Sequence, residues 1–271
     1  MPASSSVPPA PAVLRLVQLV VLGRWRATGE QLYREVAAVT EAGPGQELLV
    51  AGCGDGVSVE WLATRTGASV TGVDADGDRV RRAEARSRTA KVRLPVSFQQ
   101  SPLDDLPHEN GVFDVTIGEP ALAAESDPAQ AVRELVRVTK PMGSVVLLQL
   151  TWGSELSRDE RELVVERLGL RPHLLVEWKQ MLREAGVVDI LVQDWTSGEP
   201  GRRGGPAGAA HLTWQEKVQI ATRAWRKWGR GEGWGAVRGA VAREMSLLRE
   251  LSDERAIGFQ LIKGVKWPHA H

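Results

Sequence analysis

Residues 47–63, ELLVAGCGDGVSVEWLA, decide how this chain folds. An apolar run from Leu48 ends in Gly52, Gly54 and Gly56, and a helical pattern follows at once. The order predicts a strand, a tight glycine turn and a helix start. Glycine is needed where the backbone takes positive φ or where a ligand must come closer than a Cβ allows, and a helix N-terminus adds unpaired N–H groups and a positive dipole end. Such a turn suits a nucleotide-like ligand. Eighteen residues past Gly56 the run SVTGV ends at Asp74, which puts a carboxylate at the tip of a second parallel strand, in reach of both hydroxyls of a ribose.

The spacing separates two cofactor classes. A dinucleotide fingerprint needs glycine at its first, third and sixth positions, and the sixth position counted from Gly52 is Val57. The sequence Gly52-Cys53-Gly54-Asp55-Gly56 instead resembles the first motif of class I S-adenosylmethionine (SAM) dependent methyltransferases. LPHENGVFDVTIGEPAL (106–122) is similar to that family's fourth strand with its lead-in, and RELVRVTKPMGSVVLL (133–148) to its helix, basic turn and fifth strand. With REAGVVDILV (183–192) the resemblance covers about residues 30–195, and it is nearest to the small-molecule branch that includes quinone-biosynthesis C-methyltransferases.

The resemblance implies an α/β, doubly wound, mainly parallel seven-stranded Rossmann-like sheet with a helical cap, in which the terminal strand, IGFQLIKGVKW (257–267), runs antiparallel to the rest. It implies SAM as cofactor, held by Ala51, Gly52, Cys53, Gly54, Gly56, Asp74, Ala75, Pro102 and Leu103. Two positions depart from the family pattern. Val50 stands where the family carries an acid two residues before the first glycine, and Pro102 stands where an acid contacts the adenine amino group. Asp104 and Asp105 are out of register with that position, which leaves adenine to the Leu103 backbone and apolar walls.

Composition fits a soluble, cytoplasmic enzyme. The 271 residues suffice for one large α/β domain with an appended cap, and 42% hydrophobic content supplies its core. The 34 basic and 34 acidic residues cancel, which argues against nucleic acid as the main partner. The lone cysteine, Cys53, excludes an internal disulfide and a Cys-rich zinc site; in the glycine turn it reads as a small residue beside the ligand rather than a catalytic thiol. With five histidines, two of them in the terminal PHAH, no metal site is expected.

The chain divides into a disordered Pro- and Ser-rich tail at 1–12, a SAM-binding domain with amino-terminal helices at 13–195, a linker and helical cap at 196–256, and a terminal strand and tail at 257–271. The apolar stretch VLRLVQLVVLG (13–23) is about half the length that spans a bilayer, so it reads as a helix packed over the cleft or the cap, with weak membrane-surface contact as the alternative. In the following segment Leu32, Val36 and Val39 fall at helical spacing. In the cap, Trp214, Val218, Ala221, Trp225 and Trp228 share one helical face, and residues 214–250 hold eight basic side chains against four acidic ones. That pattern reads as a substrate cap; binding of RNA or anionic lipid is the sharper alternative.

Alternating helices and strands imply that the ligand lies beyond the carboxyl ends of the strands, where Gly52–Gly56, Asp74, Leu103 and Glu119 converge. Glu119 closes the fourth strand as either a surface carboxylate or a group that orients the substrate or accepts its proton. Trp152 at the end of the fifth strand either lines the substrate pocket, an aromatic face for a sulfonium, or belongs to the core. His211 is the second candidate base and substrate contact. The expected function is SAM-dependent methylation of a small apolar or amphipathic molecule, in which positioning does most of the catalysis. A nucleic-acid methyltransferase lacks its usual motif, since residues 118–121 read Gly-Glu-Pro-Ala. A non-catalytic scaffold would account for Val50 and Pro102, and a NAD-dependent oxidoreductase is disfavoured by Val57. Oligomeric state is not encoded in any motif.

Overall fold

The computed structural model describes residues 32–89, 94–153, 171–195 and 257–268, with short stretches between 156 and 165. Helix α1 (32–40) leads into β1 (Glu47–Ala51), and then come α2 (Val57–Thr66), β2 (Ser69–Asp74), α3 (Gly77–Arg88) and β3 (Val96–Gln100). The second half runs β4 (Phe113–Gly118), a 3₁₀ turn (Pro120–Ala124), α4 (Pro128–Val138), β5 (Thr139–Trp152), α5 (Leu175–Glu184), β6 (Val187–Asp194) and β7 (Ile257–Lys266). Seven strands form one sheet in the order β3-β2-β1-β4-β5-β7-β6, parallel except for β7, which runs antiparallel to both β5 and β6. The expected mainly parallel seven-stranded sheet with an antiparallel last strand is what forms.

Why β1 reads as unbroken apolar residues is plain from its neighbours. Leu48 and Val50 face one core with Leu32, Val36 and Leu62, while Leu49 and Ala51 face the other with Leu135, Trp178 and Leu182. A parallel strand covered on both faces has no solvent side on which to alternate. Val50, where the family pattern carries an acid, is fully buried in the first of these cores. A carboxylate there would have to be desolvated, so the valine contributes packing in place of a polar contact.

Helix starts follow their capping residues. Asp76 accepts from the backbone N–H groups of Asp78 and Arg79 at the head of α3, and Asp127 accepts from Gln130 N–H at the head of α4, where Pro128 occupies the first turn. The basic turn expected between α4 and β5 takes a different form. β5 begins at Thr139, immediately after α4, pairs there with Phe113, and pairs again only from Ser144 to Val115. The extra residues bulge, with Met142 at φ 66°, and Lys140 Nζ lies 2.9 Å from both carboxylate oxygens of Asp114. That ion pair draws Lys140 back onto β4 instead of leaving it in a free turn.

A partly buried ion pair secures the loop that enters β4. Glu134, 7% exposed, accepts from Arg137 Nε and Nη2, both at 2.7 Å, and from the Leu106 backbone N–H at 2.9 Å. Arg137 in turn donates to the carbonyls of Leu106 and His108 and to Asn110 Oδ1. The Arg137 hydrogen bonds hold the Glu134 carboxyl below the usual range. Its stabilising contribution is therefore present above the unfolded value of about 4.3 and is lost as pH falls through the lower folded value. Glu134→Gln is expected to cost about 2 to 4 kcal/mol at neutral pH. In urea titrations the gap between parent and variant should close at the acid end; a pH-independent gap would contradict this account.

The ends of β6 and β7 meet beyond β5. Asp194 pairs with Gln260, and Trp195 N–H donates to Phe259 O at 2.8 Å. The stretches 1–31 and 196–256, with the tail, the 13–23 segment, the Trp-bearing cap and His211, lie outside the described residues. Among those described, no helix is long and apolar enough to cross a membrane.

Candidate active site

The glycine turn after β1 takes the conformation its residues permit. Gly52, Gly54 and Gly56 have φ of 80°, 56° and 74°, all in the left-handed region where a Cβ is penalised. Gly52 N–H and Cys53 N–H both donate to Val73 O at the end of β2, and Gly56 N–H donates back to Cys53 O. A Cβ on Gly56 would strike the Phe98 ring and lie 2.9 Å from Ala83 Cβ. Gly56 thus serves the close packing of α2 against β3 and α3, the role a dinucleotide fingerprint gives to its sixth residue. Val57 in that position is partly exposed.

Asp74 is 5% exposed, and its carboxylate joins two turns. Oδ2 accepts from Gly54 N–H at 2.7 Å and Oδ1 from Asp76 N–H at 2.9 Å. Each oxygen keeps a second lone pair, the acceptor pattern that a vicinal diol requires. Ala75 beside it is exposed, and its carbonyl accepts from Gln100 Nε2. Leu103 is buried against Leu49, Ala51 and Val73, whereas Pro102 is exposed.

Negative charge gathers along this edge. Burial pushes the Cys53 thiol far up, with Glu119 and Asp74 adding to it, so Cys53 is a neutral packing residue. Burial also raises the Glu125 carboxyl, reinforced by Asp104 and Asp74. Two groups on different segments thus feel the same negative field. A cationic sulfonium would relieve it, and an anion would not. The N-terminus of α2, which carries no side-chain cap, faces the same turn and suits a carboxylate such as that of methionine. The residues present fit SAM.

Glu119 follows β4 directly and is held from three directions. Its N–H donates to Ala51 O at 2.9 Å, its carbonyl accepts from Gln149 Nε2 at 2.9 Å, and its Oε1 accepts from Tyr33 Oη at 2.6 Å. Ala51–Gly56, Asp74, Ala75, Leu103 and Glu119 therefore share the carboxyl edges of β1, β2 and β4 and the loop after β3, where the strand order reverses between β1 and β4. Trp152 is also at a strand carboxyl end, but it packs on the core shared with α1, with the Arg161 guanidinium 5.8 Å from its ring centre.

Three side chains here went unread in the sequence. Gln149 is a fully buried polar residue inside the apolar run VVLLQL, a signal that was available. Tyr33 is the only tyrosine of the chain and lies beside Leu32 on α1, but nothing local aims it at a residue 86 positions away. Glu125 had no signal beyond being acidic.

Residues 49–147 match the family model described as a methyltransferase domain. Over this core the chain is similar to class I SAM-dependent methyltransferases, whose fold its sheet order shares. Among curated proteins it is similar to the O-methyltransferase resE of Aspergillus sclerotiorum, 27% identical over 159 residues that make up 58% of this chain and 60% of resE. The chain spans about half the length of the curated relatives it matches. Among solved structures it shares its fold with the [4+2]-cyclase SpnF, at TM-score 0.65 and 23% identity, covering 88% of this chain and 80% of SpnF. Geranyl diphosphate C-methyltransferase from Streptomyces coelicolor A3(2), solved with Mg2+, geranyl diphosphate and S-adenosyl-L-homocysteine, gives 0.59 and 18%, covering 83% and 72%.

Proposed function

We propose that the protein is a SAM-dependent methyltransferase acting on a small apolar or amphipathic molecule. The observation that carries this reading is the Asp74 carboxylate bonded to Gly54 N–H at the switch point of the sheet. Asp74 would hold the ribose hydroxyls, the Gly52–Gly56 backbone and the α2 N-terminus the methionine end, and Leu103 one wall of the adenine site. Bound SAM supplies an electrophilic methyl group on sulfur. The protein's part is to align an acceptor with that methyl group and to exclude water, which by itself lowers the barrier by several kcal/mol, on the order of 7 to 11 in well-oriented systems. Glu119, held from three elements, is the group placed to orient the acceptor.

The names of two relatives, a tocopherol O-methyltransferase and a 27-O-demethylrifamycin SV methyltransferase, agree with a small-molecule acceptor. Balanced net charge supports a small molecule over nucleic acid, and the buried free cysteine agrees with a cytoplasmic setting. Val50 and Pro102, together with the cyclase that shares this fold, keep open a non-methylating use of the same cofactor site. Calorimetric titration of the full chain with SAM, S-adenosylhomocysteine and NAD decides among these readings. Saturable binding of the first two but not of NAD is expected. NAD binding alone would overturn the assignment, and SAM binding with no methyl transfer to any acceptor would favour the non-methylating use.

A further inference from the structure

We infer that Phe98 is a positioning residue, whose ring, reaching in from β3, wedges the glycine turn into the shape that receives SAM; this rests on the SAM reading above. Two glycines make room for the ring. A Cβ on Gly56, in the turn, would strike it. A Cβ on Gly72, the direct cross-strand partner of Phe98, would stand 2.9 Å from Phe98 Cδ1, 2.9 Å from Val59 Cγ2 and 2.8 Å from Cys53 Sγ. The two positions differ in kind. Gly56, at φ 74°, needs glycine for its backbone as well, whereas Gly72 lies in the regular pairing of β2 with β1 and β3, at a backbone any residue adopts. At Gly72 only space is at stake, and the Phe98 ring, the Cys53 thiol and the Val59 side chain of α2 converge on it.

The turn depends unequally on its ties. Its start is bonded from Gly52 and Cys53 to Val73 O, and its middle from Gly54 to Asp74. Asp55 is paired with Arg82 at an exposed position, where an ion pair contributes little. At its end Gly56 bonds back to Cys53 O, closing the turn on itself, and packs against the Phe98 ring and Ala83 of α3. Without the ring, Gly56 gains room to move together with the head of α2, whose first N–H groups are the ones offered to the methionine end. β3 is five residues long and outermost in the order β3-β2-β1-β4-β5-β7-β6, so it belongs to the part of the sheet that opens most readily. The ring couples that strand to the cofactor turn. A turn that is competent only part of the time binds with an affinity reduced by that fraction.

Cys53, the chain's single cysteine and 2% exposed, reports on the turn from within it. Burial keeps its thiol protonated, so in the full-length protein Ellman's reagent labels it only as the turn opens. Phe98→Ala should raise the labelling rate at least about tenfold and weaken S-adenosylhomocysteine binding about tenfold by calorimetry, the result of a competent state falling to about a tenth of the population. Saturating S-adenosylhomocysteine should slow labelling of the variant towards the parental rate, because ligand bound to the closed turn draws the population back to it. Phe98→Leu, which keeps most of the volume, should recover most of both. Val96→Ala, on the same strand and packed on the same core cluster, reports what a merely looser β3 does, and it should leave labelling and affinity near the parental values. If alanine at position 98 unfolds the chain, Phe98→Val carries the same comparison. Equal changes in Phe98→Ala and Val96→Ala, or parental labelling or affinity in Phe98→Ala, would overturn the wedge and leave the cofactor reading standing. Failure of the parent to bind S-adenosylhomocysteine would remove both.

Discussion

Asp74→Ala should weaken SAM binding at least about 100-fold, the upper end of what the loss of a ribose contact alone would predict or beyond it. Hydrogen bonds from the ribose to a charged acceptor are worth about 1.5 to 3 kcal/mol. The carboxylate also ties Gly54 N–H to Asp76 N–H, so its removal releases both the glycine turn and the head of α3. Asp74→Asn separates the two contributions. Its side chain keeps the shape but replaces one acceptor with an N–H that must face a backbone donor, so it should bind little better than the alanine variant. Calorimetry of both variants checks this, and parental affinity in either would remove Asp74 from the ribose site.

Gly54→Val should abolish detectable SAM binding while the far-ultraviolet spectrum stays near that of the parent. Two effects add. A β-branched residue at φ 56° carries a strained backbone, costing about 1 to 3 kcal/mol. Its side chain would also occupy the space through which the cofactor approaches the turn. The hydrophobic clusters on either face of β1 do not include Gly54, so the sheet should persist. Binding with unchanged affinity would mean that the cofactor sits elsewhere.

How far the sequence reached follows from which contacts are local. The strand, glycine turn and helix at 47–66 and the carboxylate at Asp74 were legible because each is written within a few consecutive residues by apolar periodicity and glycine spacing. The antiparallel last strand came from resemblance to the family, since no local pattern encodes strand direction. The meeting of Tyr33 with Glu119 depends on where α1 docks on the sheet, and the Glu134–Arg137 pair drew its importance from a loop that reads as ordinary polar residues. Likewise, the glycines were read as serving a ligand, but Gly56 answers to the Phe98 ring, a contact made only once β3 is beside β2. Trp152 had two open readings, and its sequence did not show that the Arg161 guanidinium would come to lie over its ring.

The antiparallel pairing of β6 with β7 bears on how this chain could change its chemistry. Asp194 and Gln260 pair, and Trp195 is bonded to Phe259, so the chain leaves and re-enters the sheet at two neighbouring antiparallel strand ends on its carboxyl edge. Closing a loop costs free energy that grows only with the logarithm of its length. The two strand ends therefore form a splice point, at which segments of very different length and composition could be exchanged without re-engineering the sheet. Grafting the corresponding stretch from a relative is the economical route to a new acceptor, because the cofactor turn, Asp74 and Glu119 are all encoded before Trp195 and would travel unaltered.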